Sequence, residues 1–195
     1  MSRRTSAGRP EVTSHAAIEQ AAFALFRERG FEATTLEAIA GAIGVGRRTL
    51  FRYYRSKNDI PWGQFDRTLA GFRQILDETP ADLSVYQAVG RGIVEFNRFP
   101  ADASPPHVER MRLILQTPAL QAHSALRYGE WRRVIAEYAA ARLDLEPDAL
   151  EPRLLGHAGL ALAMTAYELW LDDPARDLTA LLEQGLSALS ALSRP

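Results

Sequence analysis

The sequence predicts an all-α protein, and three observations support this fold class. Apolar residues recur at spacings of three and four through almost the whole chain. No stretch alternates apolar and polar residues for long enough to indicate a β-strand. Serine or threonine stands before several apolar runs, and glycine or proline stands after them, as expected at helix ends. About nine helices are predicted in this way.

Three short helices are predicted near the N-terminus. The first spans about residues 14–30 and ends at a glycine able to take a left-handed conformation. The second begins at Thr34 or Thr35, and Glu37 stands three residues after Thr34, as in a capping box. The third, residues 47–54, follows the sequence GVG.

A long helix is predicted next, capped by Ser56 or Asn58 and ending before Pro80. Its apolar residues form one stripe at spacings of three and four: Trp62, Phe65, Leu69, Phe72 and Leu76. The remaining helices are predicted at residues 82–98, 105–116, 118–142, 148–171 and 174–192.

Charge is unevenly distributed along the chain. The net charge is −1, but residues 1–58 hold ten basic and five acidic side chains (+5), and residues 59–195 hold thirteen and nineteen (−6). We therefore expect two domains, 1–58 and 59–195, of which the first can bind a polyanion.

The composition excludes several kinds of protein. The chain has no cysteine, which excludes disulfides, thiolate metal sites and cysteine nucleophiles. No apolar run approaches the roughly 18 to 20 residues needed to span a bilayer, and no apolar signal segment follows the basic N-terminus. We expect a cytoplasmic protein that does not contact a membrane.

The sequence LEAIAGAIGVGRRTLFRYYR, residues 36–55, fits a helix-turn-helix unit. Ala40 is small where two helices approach closely, and Gly44 suits the tight turn. In such a unit the second helix enters the major groove of DNA with its N-terminal residues towards the bases. Arg47 and Arg48 occupy that end, and an arginine can donate two hydrogen bonds to guanine O6 and N7.

Neighbouring residues suit other roles in the same unit. Thr49, Tyr53 and Lys57 are expected to donate to phosphates, whereas the spacing of Leu50, Phe51 and Tyr54 predicts an inward apolar face. An N-terminal arm with Arg3, Arg4 and Arg9 could reach an adjacent groove or have no function. The residues expected to bind DNA are Thr35, Arg47, Arg48, Thr49, Arg52, Tyr53 and Lys57. The competing interpretation is a solvated basic helix, in which the arginines would repel one another without an anion.

The chain resembles a known family at these residues. Residues 14–62 resemble the DNA-binding domain of TetR-type transcriptional regulators, most clearly in FRERGFEATTLEAIAGAIGVGRRTLFRYYRSKNDI. Phe51 stands where that family usually has tyrosine, and Tyr54 where it usually has phenylalanine. Over most of its length the chain is similar to the TetR-type regulators of mycofactocin biosynthesis systems, in GRRTLFRYYRSKNDIPWGQFD, VEFNRFPA, LILQTPALQAHSALRYGEWR and AYELWL.

The resemblance implies an all-helical, ligand-responsive repressor that binds a palindromic operator as a homodimer. It implies a small DNA-binding head of three helices, a larger body that binds a small-molecule effector, and a dimer interface formed by the last two helices, about residues 153–171 and 174–192. The sequence of the last helix suits this role. Gly185 and Ala188 would allow close approach, and five leucines share one face: Leu178, Leu182, Leu186, Leu189 and Leu192.

Polar residues inside apolar helices of the body indicate an effector site. His123, Arg127 and Trp131 follow one another at spacings of four, and Arg127 needs an anion, which Glu130, Glu168 or a ligand could supply. The candidate pocket residues are Phe96, His123, Arg127, Trp131, Met164, Tyr167 and Glu168. The mycofactocin resemblance favours a long-chain acyl-CoA as effector. No other cofactor is expected. Such a ligand would release DNA by changing the spacing of the two heads from the roughly 34 to 36 Å between successive major grooves.

Two other classes of function compete with this interpretation. An enzyme is disfavoured, because the sequence has no nucleophile elbow or phosphate loop, and the four histidines have no metal-ligand spacing: His15, His107, His123 and His157. We therefore expect no catalytic residue and no metal. A helical protein-interaction module is the second alternative, and it predicts weak DNA binding without sequence preference.

Overall fold

The computed structural model describes residues 13–100 and 102–192. These residues form nine α-helices and one 3-10 helix and contain no strand, which confirms the all-α prediction. The helices are α1 His15–Arg29, α2 Leu36–Ala42, α3 Arg47–Leu50, the 3-10 helix η1 Lys57–Trp62, α4 Phe65–Asp77, α5 Val85–Phe96, α6 His107–Gln116, α7 Pro118–Leu143, α8 Leu150–Asp172 and α9 Leu178–Leu192.

The chain divides after Gly63 into two compact units, which we call the head and the body. The sequence places this boundary after Asn58. The additional residues belong to η1, which packs against α1 and buries Ile60 and Pro61. Within the described part of the chain, no helix is both long enough and apolar enough to cross a membrane.

The head begins with two well-capped helices. Ser14 accepts a hydrogen bond from the Ala17 amide at the start of α1, and Gly30 ends that helix with φ of +82°. Thr35 caps α2 by accepting from the Ala38 amide. The predicted capping box of Thr34 with Glu37 is therefore wrong. The Thr34 hydroxyl is buried and donates to the Gly30 carbonyl at 2.8 Å, at the end of the preceding helix.

The turn between α2 and α3 follows the helix-turn-helix prediction, but α3 is shorter than predicted. Gly44 takes φ of +68°, where a side chain would strain the backbone. Helix α3 has four residues, and Gly46 precedes it without a side-chain cap. The chain then tightens into turns in which the Arg52 and Tyr53 amides donate to the carbonyls three residues earlier. The predicted helix over residues 47–54 is therefore half helix and half turn.

The predicted long helix after Ser56 is also interrupted. Ser56 and Asp59 form a capping box, but η1 ends at Gly63, whose φ of +60° and ψ of −143° break the helical path. A new helix, α4, begins at Phe65. Its apolar stripe is as predicted from there onward: Phe65, Leu69, Phe72 and Leu76 are all buried.

The body is built around the two longest helices, α7 and α8, which pack along each other, while α4, α5, α6 and α9 cover them. Glycines permit this close packing. A Cβ at Gly156 of α8 would lie 2.8 Å from the Arg132 carbonyl oxygen of α7, and a Cβ at Gly159 would lie 2.9 Å from Ile93 of α5. The core includes Phe72, Ile93 and Ile135, all at most 1% exposed.

The leucine face of α9 is used inside the subunit, contrary to the prediction that it forms a dimer contact. Leu178 and Leu182 are 7% and 0% exposed, and Leu186 lies where a Cβ on Gly90 of α5 would be. Gly185 allows close approach to Leu162 of α8, because a Cβ at this position would collide with that side chain. Leu178 and Leu182 thus belong to the subunit core, whereas Leu186 is half-buried and Leu189 is 39% exposed. The side chain of Leu192 lies outside the described part.

Candidate DNA-binding surface and effector site

Helix α3 and the turn after it present a cationic outer surface. Arg47, Arg48 and Arg52 are exposed, whereas Leu50 is 0% and Tyr54 3% exposed. The inward prediction is therefore confirmed for Leu50 and Tyr54. It is wrong for Phe51, which is 41% exposed and lies on the same surface as the arginines.

Arg47 is held by two neighbours. Its Nη1 lies 2.7 Å from Oε1 of Glu37 in the first turn of α2. The guanidinium also lies over the Phe51 ring, 5.2 Å from its centroid. The sequence paired Glu37 with Thr34 in a capping box and not with Arg47, because only the folded turn at Gly44 brings α2 and α3 together.

Tyr54 connects α3 and the turn after it to α1. Its hydroxyl donates to the buried Glu19 carboxylate at 2.6 Å. No sequence pattern predicts this contact, since the residues stand 35 positions apart. Because both side chains are buried, this hydrogen bond restricts the position of α3 and the turn after it relative to α1.

Two predicted phosphate contacts are already engaged within the head. The Tyr53 hydroxyl donates to the Thr13 carbonyl at 2.7 Å, and its oxygen still has lone pairs to accept with. The Lys57 ammonium donates to the carbonyls of Phe31, Thr34 and Glu32 at 2.7, 2.9 and 3.3 Å. All three of its N–H groups therefore have partners, and Lys57 fixes the turn before α2.

The remaining predicted DNA contacts differ in exposure. Thr35 is exposed, and its hydroxyl proton is still available while its oxygen caps α2. Thr49 is half-buried. The arginines of the N-terminal arm, Arg3, Arg4 and Arg9, lie outside the described residues.

Two of the predicted effector residues, Phe96 and Trp131, lie near each other in the body. The rings of Phe72 and Trp131 stack at 5.2 Å, and Phe96 lies 4.5 Å from Phe72 and 6.4 Å from Trp131. Arg127 pairs with Glu130 at 3.1 Å, one of the partners predicted for it, and lies over the Phe65 ring at 4.9 Å. His123 and Met164 are half-buried. The exposed Glu168 side chain does not join this group.

Tyr167 belongs to a buried chain of hydrogen bonds that the sequence did not reveal. The Tyr167 hydroxyl donates to Asn97 Oδ1 at 2.6 Å, and Asn97 Nδ2 donates to the Ile93 carbonyl at 2.7 Å. His107 Nε2 lies 2.8 Å from the Tyr167 oxygen. Because tyrosine has one proton, which Asn97 receives, His107 must donate from Nε2. The chain therefore runs in one direction, from α6 through α8 to α5.

Burial controls the ionisation of this group. Desolvation, followed by the positive charge of Arg110, lowers the pKa of His107 to about 3. Burial also raises the pKa of Tyr167 above its ordinary value, and it raises that of Tyr128 to about 12. These groups are therefore neutral near pH 7, as the hydrogen bonds require.

A cationic groove of about 550 Å³ lies between α7 and the start of α8. Its basic lining residues are Arg132, Arg133, Arg153 and His157, and Asp148 is the acidic residue among them. Within the described residues, the side chains of Arg132 and Arg153 form no ion pair. The groove is thus a place where an anion can be bound by side chains that lack anionic partners.

Comparisons with known proteins agree with this architecture. Residues 18–60 match the model for bacterial regulatory proteins of the tetR family, and residues 83–193 match the MftR C-terminal domain. The chain therefore belongs to the TetR family of DNA-binding transcriptional regulators. Within that family its body is of the MftR type.

Individual relatives extend the likeness along the chain. The chain is 38% identical to the mycofactocin biosynthesis transcriptional regulator MftR of Mycobacterium tuberculosis, over 98% of this chain and 96% of that protein. The structure of the Thermus thermophilus repressor FadR with lauroyl-CoA has a TM-score of 0.56 at 25% identity, covering 90% and 93% of the two chains. The Bacillus subtilis FadR structure with stearoyl-CoA has a TM-score of 0.59 at 16% identity, covering 90% and 97%.

The described residues contain no group of three or more histidine, aspartate, glutamate or cysteine side chains that could hold a metal ion. The site chemistry is instead that of cations on the head and a cationic groove on the body.

His107 predicts a specific dependence of stability on pH. The unfolded chain takes up a proton on this histidine as the pH falls below about 6.5, but the folded protein does not until about pH 3. Stability is therefore fully present above pH 6.5 and is lost towards pH 3. Between pH 7 and pH 5, we expect the wild-type protein to lose about 2 kcal/mol more unfolding free energy than His107→Gln, in urea titrations.

The control for this measurement is His157→Gln, which changes an exposed histidine. When the pH is lowered from 7 to 5, its unfolding free energy should decrease by the same amount as that of the wild type. Parallel losses in all three proteins would show that burial does not keep His107 neutral.

Proposed function

We propose that the protein is a ligand-responsive repressor that binds a palindromic operator as a homodimer, and that it controls genes associated with mycofactocin. The observation that carries this proposal is the exposed group of Arg47, Arg48 and Arg52 on the outer side of α3. Arg47 and Arg48 lie on the second helix of a helix-turn-helix unit, the element that enters the major groove, and Arg52 lies in the turn that follows it. The similarity to MftR along almost the whole chain supports the choice of target genes.

Base recognition is assigned to Arg47 and Arg48, and phosphate contact to Thr35, Thr49, Arg52 and Tyr53. Arg48 stands one residue into α3 and is exposed, so its guanidinium can reach guanine acceptors. Lys57 has a different proposed role, because its ammonium donates to three carbonyls of the head. It positions the start of α2 and adds positive charge near the DNA backbone.

The proposed DNA function is tested by selecting binding sites from random duplex DNA and then measuring variants by fluorescence anisotropy. Arg48→Ala is expected to lower affinity for the selected site by about 5- to 150-fold and to affect scrambled DNA much less, because a bidentate base contact is lost. Affinity of the wild type should fall steeply with salt concentration.

Arg29→Ala is the matched control, since it removes an exposed arginine from α1 of the same head. It should change both affinities little and equally. An equal loss on both DNAs with Arg48→Ala would make Arg48 a phosphate contact. Failure of the wild-type protein to enrich any sequence would favour the interaction-module alternative.

The proposed dimer interface still consists of α8 and α9, but of the leucine face it uses only the exposed Leu189 among the described side chains. Leu150, Leu154 and Leu169 of α8 are 75%, 61% and 43% exposed, and Leu189 of α9 is 39% exposed. Large apolar side chains at this exposure are typical of a surface that another protein covers. The spacing of the α8 residues places them on its outer side, away from α7.

Leu154→Arg is expected to dissociate the dimer, because it would place a charge in an apolar contact. Sedimentation equilibrium would measure the change in mass. Leu126→Arg is the control: Leu126 is 70% exposed on α7, and its replacement should leave the dimer intact. A Leu154→Arg protein that remains dimeric would place the interface elsewhere.

We propose a long-chain acyl-CoA as the effector. The body offers both features that this ligand needs. Apolar side chains of the body, including the buried Trp131 and the half-buried Phe96 and Met164, suit an acyl chain. Its cationic groove at Arg132 and Arg153 suits the phosphates of coenzyme A. The complexes of two FadR proteins with acyl-CoA ligands support the ligand class.

Thermal unfolding with palmitoyl-CoA, coenzyme A and palmitate tests this effector. At about 100 times the dissociation constant, palmitoyl-CoA should stabilise the protein by about 2.7 kcal/mol, a rise in Tm of roughly 5 to 10 °C. It should also release the selected DNA. The response should weaken in Arg132→Ala/Arg153→Ala and persist in Arg67→Ala, which removes an exposed arginine of α4. No shift at saturating palmitoyl-CoA would exclude this effector.

A further inference from the structure

We propose that Glu37 is a specificity-determining residue, which acts with Arg47 to recognise one G·C base pair in each half-site. This inference rests on the proposed DNA-binding function and concerns a residue that the sequence assigned no role in DNA recognition. It is carried by the contact between Glu37 and Arg47 and by the position of both side chains on the surface of the head.

The two side chains form one exposed unit. Glu37 Oε1 and Arg47 Nη1 are 2.7 Å apart, and the side chains are 57% and 60% exposed. The Phe51 ring supports the guanidinium from a third position, at 5.2 Å. An arginine normally samples many rotamers, so contacts with a carboxylate and a ring restrict the orientation of its remaining N–H donors.

Stability alone does not account for this pair. Ion pairs between exposed side chains contribute little to folding, because water screens them and ordering the side chains costs entropy. Near DNA a carboxylate is also repelled by phosphates, which lowers affinity for every sequence alike. A carboxylate beside the reading arginine therefore has its useful effect on orientation and on choice of base.

The chemistry of the pair matches one base pair. In the major groove, guanine presents the acceptors N7 and O6, and its partner cytosine presents an N4 amino donor. The guanidinium supplies N–H donors for guanine, while the Glu37 carboxylate can accept from cytosine. At an A·T pair the purine replaces the O6 acceptor with an amino donor, which the guanidinium cannot bind. The thymine of that pair presents the O4 acceptor instead of an amino donor, so the Glu37 carboxylate would also lose its contact.

The test is selection of binding sites from random duplex DNA by the full-length protein and its variants, followed by sequencing. Arg47→Ala identifies the base pair that Arg47 reads. Glu37→Ala removes the carboxylate, and Glu37→Gln keeps an acceptor without the charge. Glu32→Ala is the control, because Glu32 is an exposed carboxylate of the same head. Thermal unfolding of each variant establishes that it is folded.

We expect Glu37→Ala to reduce the preference for G·C at the Arg47 position at least tenfold, with Glu37→Gln intermediate and Glu32→Ala unchanged. Adding Arg47→Ala to Glu37→Ala should remove the preference that remains at that position, because the guanidinium itself contacts guanine. Glu37→Ala and Glu32→Ala should each bind scrambled DNA slightly more tightly than the wild type, since each removes a negative charge.

Two results would overturn the proposal. If Glu37→Ala keeps a preference for G·C at the Arg47 position within twofold of wild type, Glu37 only repels the DNA and does not determine specificity. An effect confined to a different base pair would separate Glu37 from Arg47. A wild-type protein that enriches no palindrome would instead contradict the proposed function itself, so the two failures are distinguishable.

Discussion

Helix α3 is too short to be a stable helix by itself, and the packing of the head follows from this constraint. Helix α3 has four residues, and one turn of helix in water is unstable because nucleation costs more entropy than its first hydrogen bonds return. Its geometry must come from tertiary contacts. The side chain of Leu50 in α3 is fully buried, and Tyr54 is hydrogen-bonded to Glu19 of α1. Lys57 donates to the backbone of the turn that precedes α2. These contacts leave the arginines free to face outward.

The body meets a different constraint, because α8 is apolar on nearly every side. Such a helix must be covered on several faces. Gly156, Gly159 and Gly185 allow α7, α5 and α9 to approach it closely, and the leucines of α9 close the inner side. The exposed leucines of α8 remain. The close approach at these glycines thus determines which part of α8 stays exposed, and Leu150, Leu154 and Leu169 lie there.

Periodicity predicted the helices well, because burial of an apolar stripe is a repeated and local signal. The repeats at Phe65, Leu69 and Phe72 show this. Local conformational choices were harder to predict. Thr34 and Thr35 are chemically alike, and only the open carbonyls at the end of α1 determine which of them caps α2. The break at Gly63 depends on a backbone conformation that glycine permits but does not require.

The same contrast between local sequence patterns and contacts that depend on the fold applies to the candidate sites. The arginines of α3 were found from the sequence because a helix-turn-helix pattern fixes their place. Contacts between distant residues were missed, as with Glu19 and Tyr54, and the outward position of Phe51 followed from the early end of α3. The Leu178–Leu182 face shows a further limit, since an apolar stripe on a terminal helix has the same sequence pattern whether the same subunit or a partner covers it.

The hydrogen bonds around Tyr167 show how the body could respond to a ligand. They join His107 at the start of α6, Tyr167 of α8 and Asn97 after α5 in one direction, with each proton assigned. These hydrogen bonds have no alternative direction while Asn97 Nδ2 donates to the Ile93 carbonyl, because Tyr167 has a single proton to donate. A ligand that moves α6 away from α8 must therefore replace the His107 contact or leave a buried tyrosine oxygen without its donor. That cost favours one position of α6 in the free protein, which is the condition under which ligand binding can shift a conformational equilibrium.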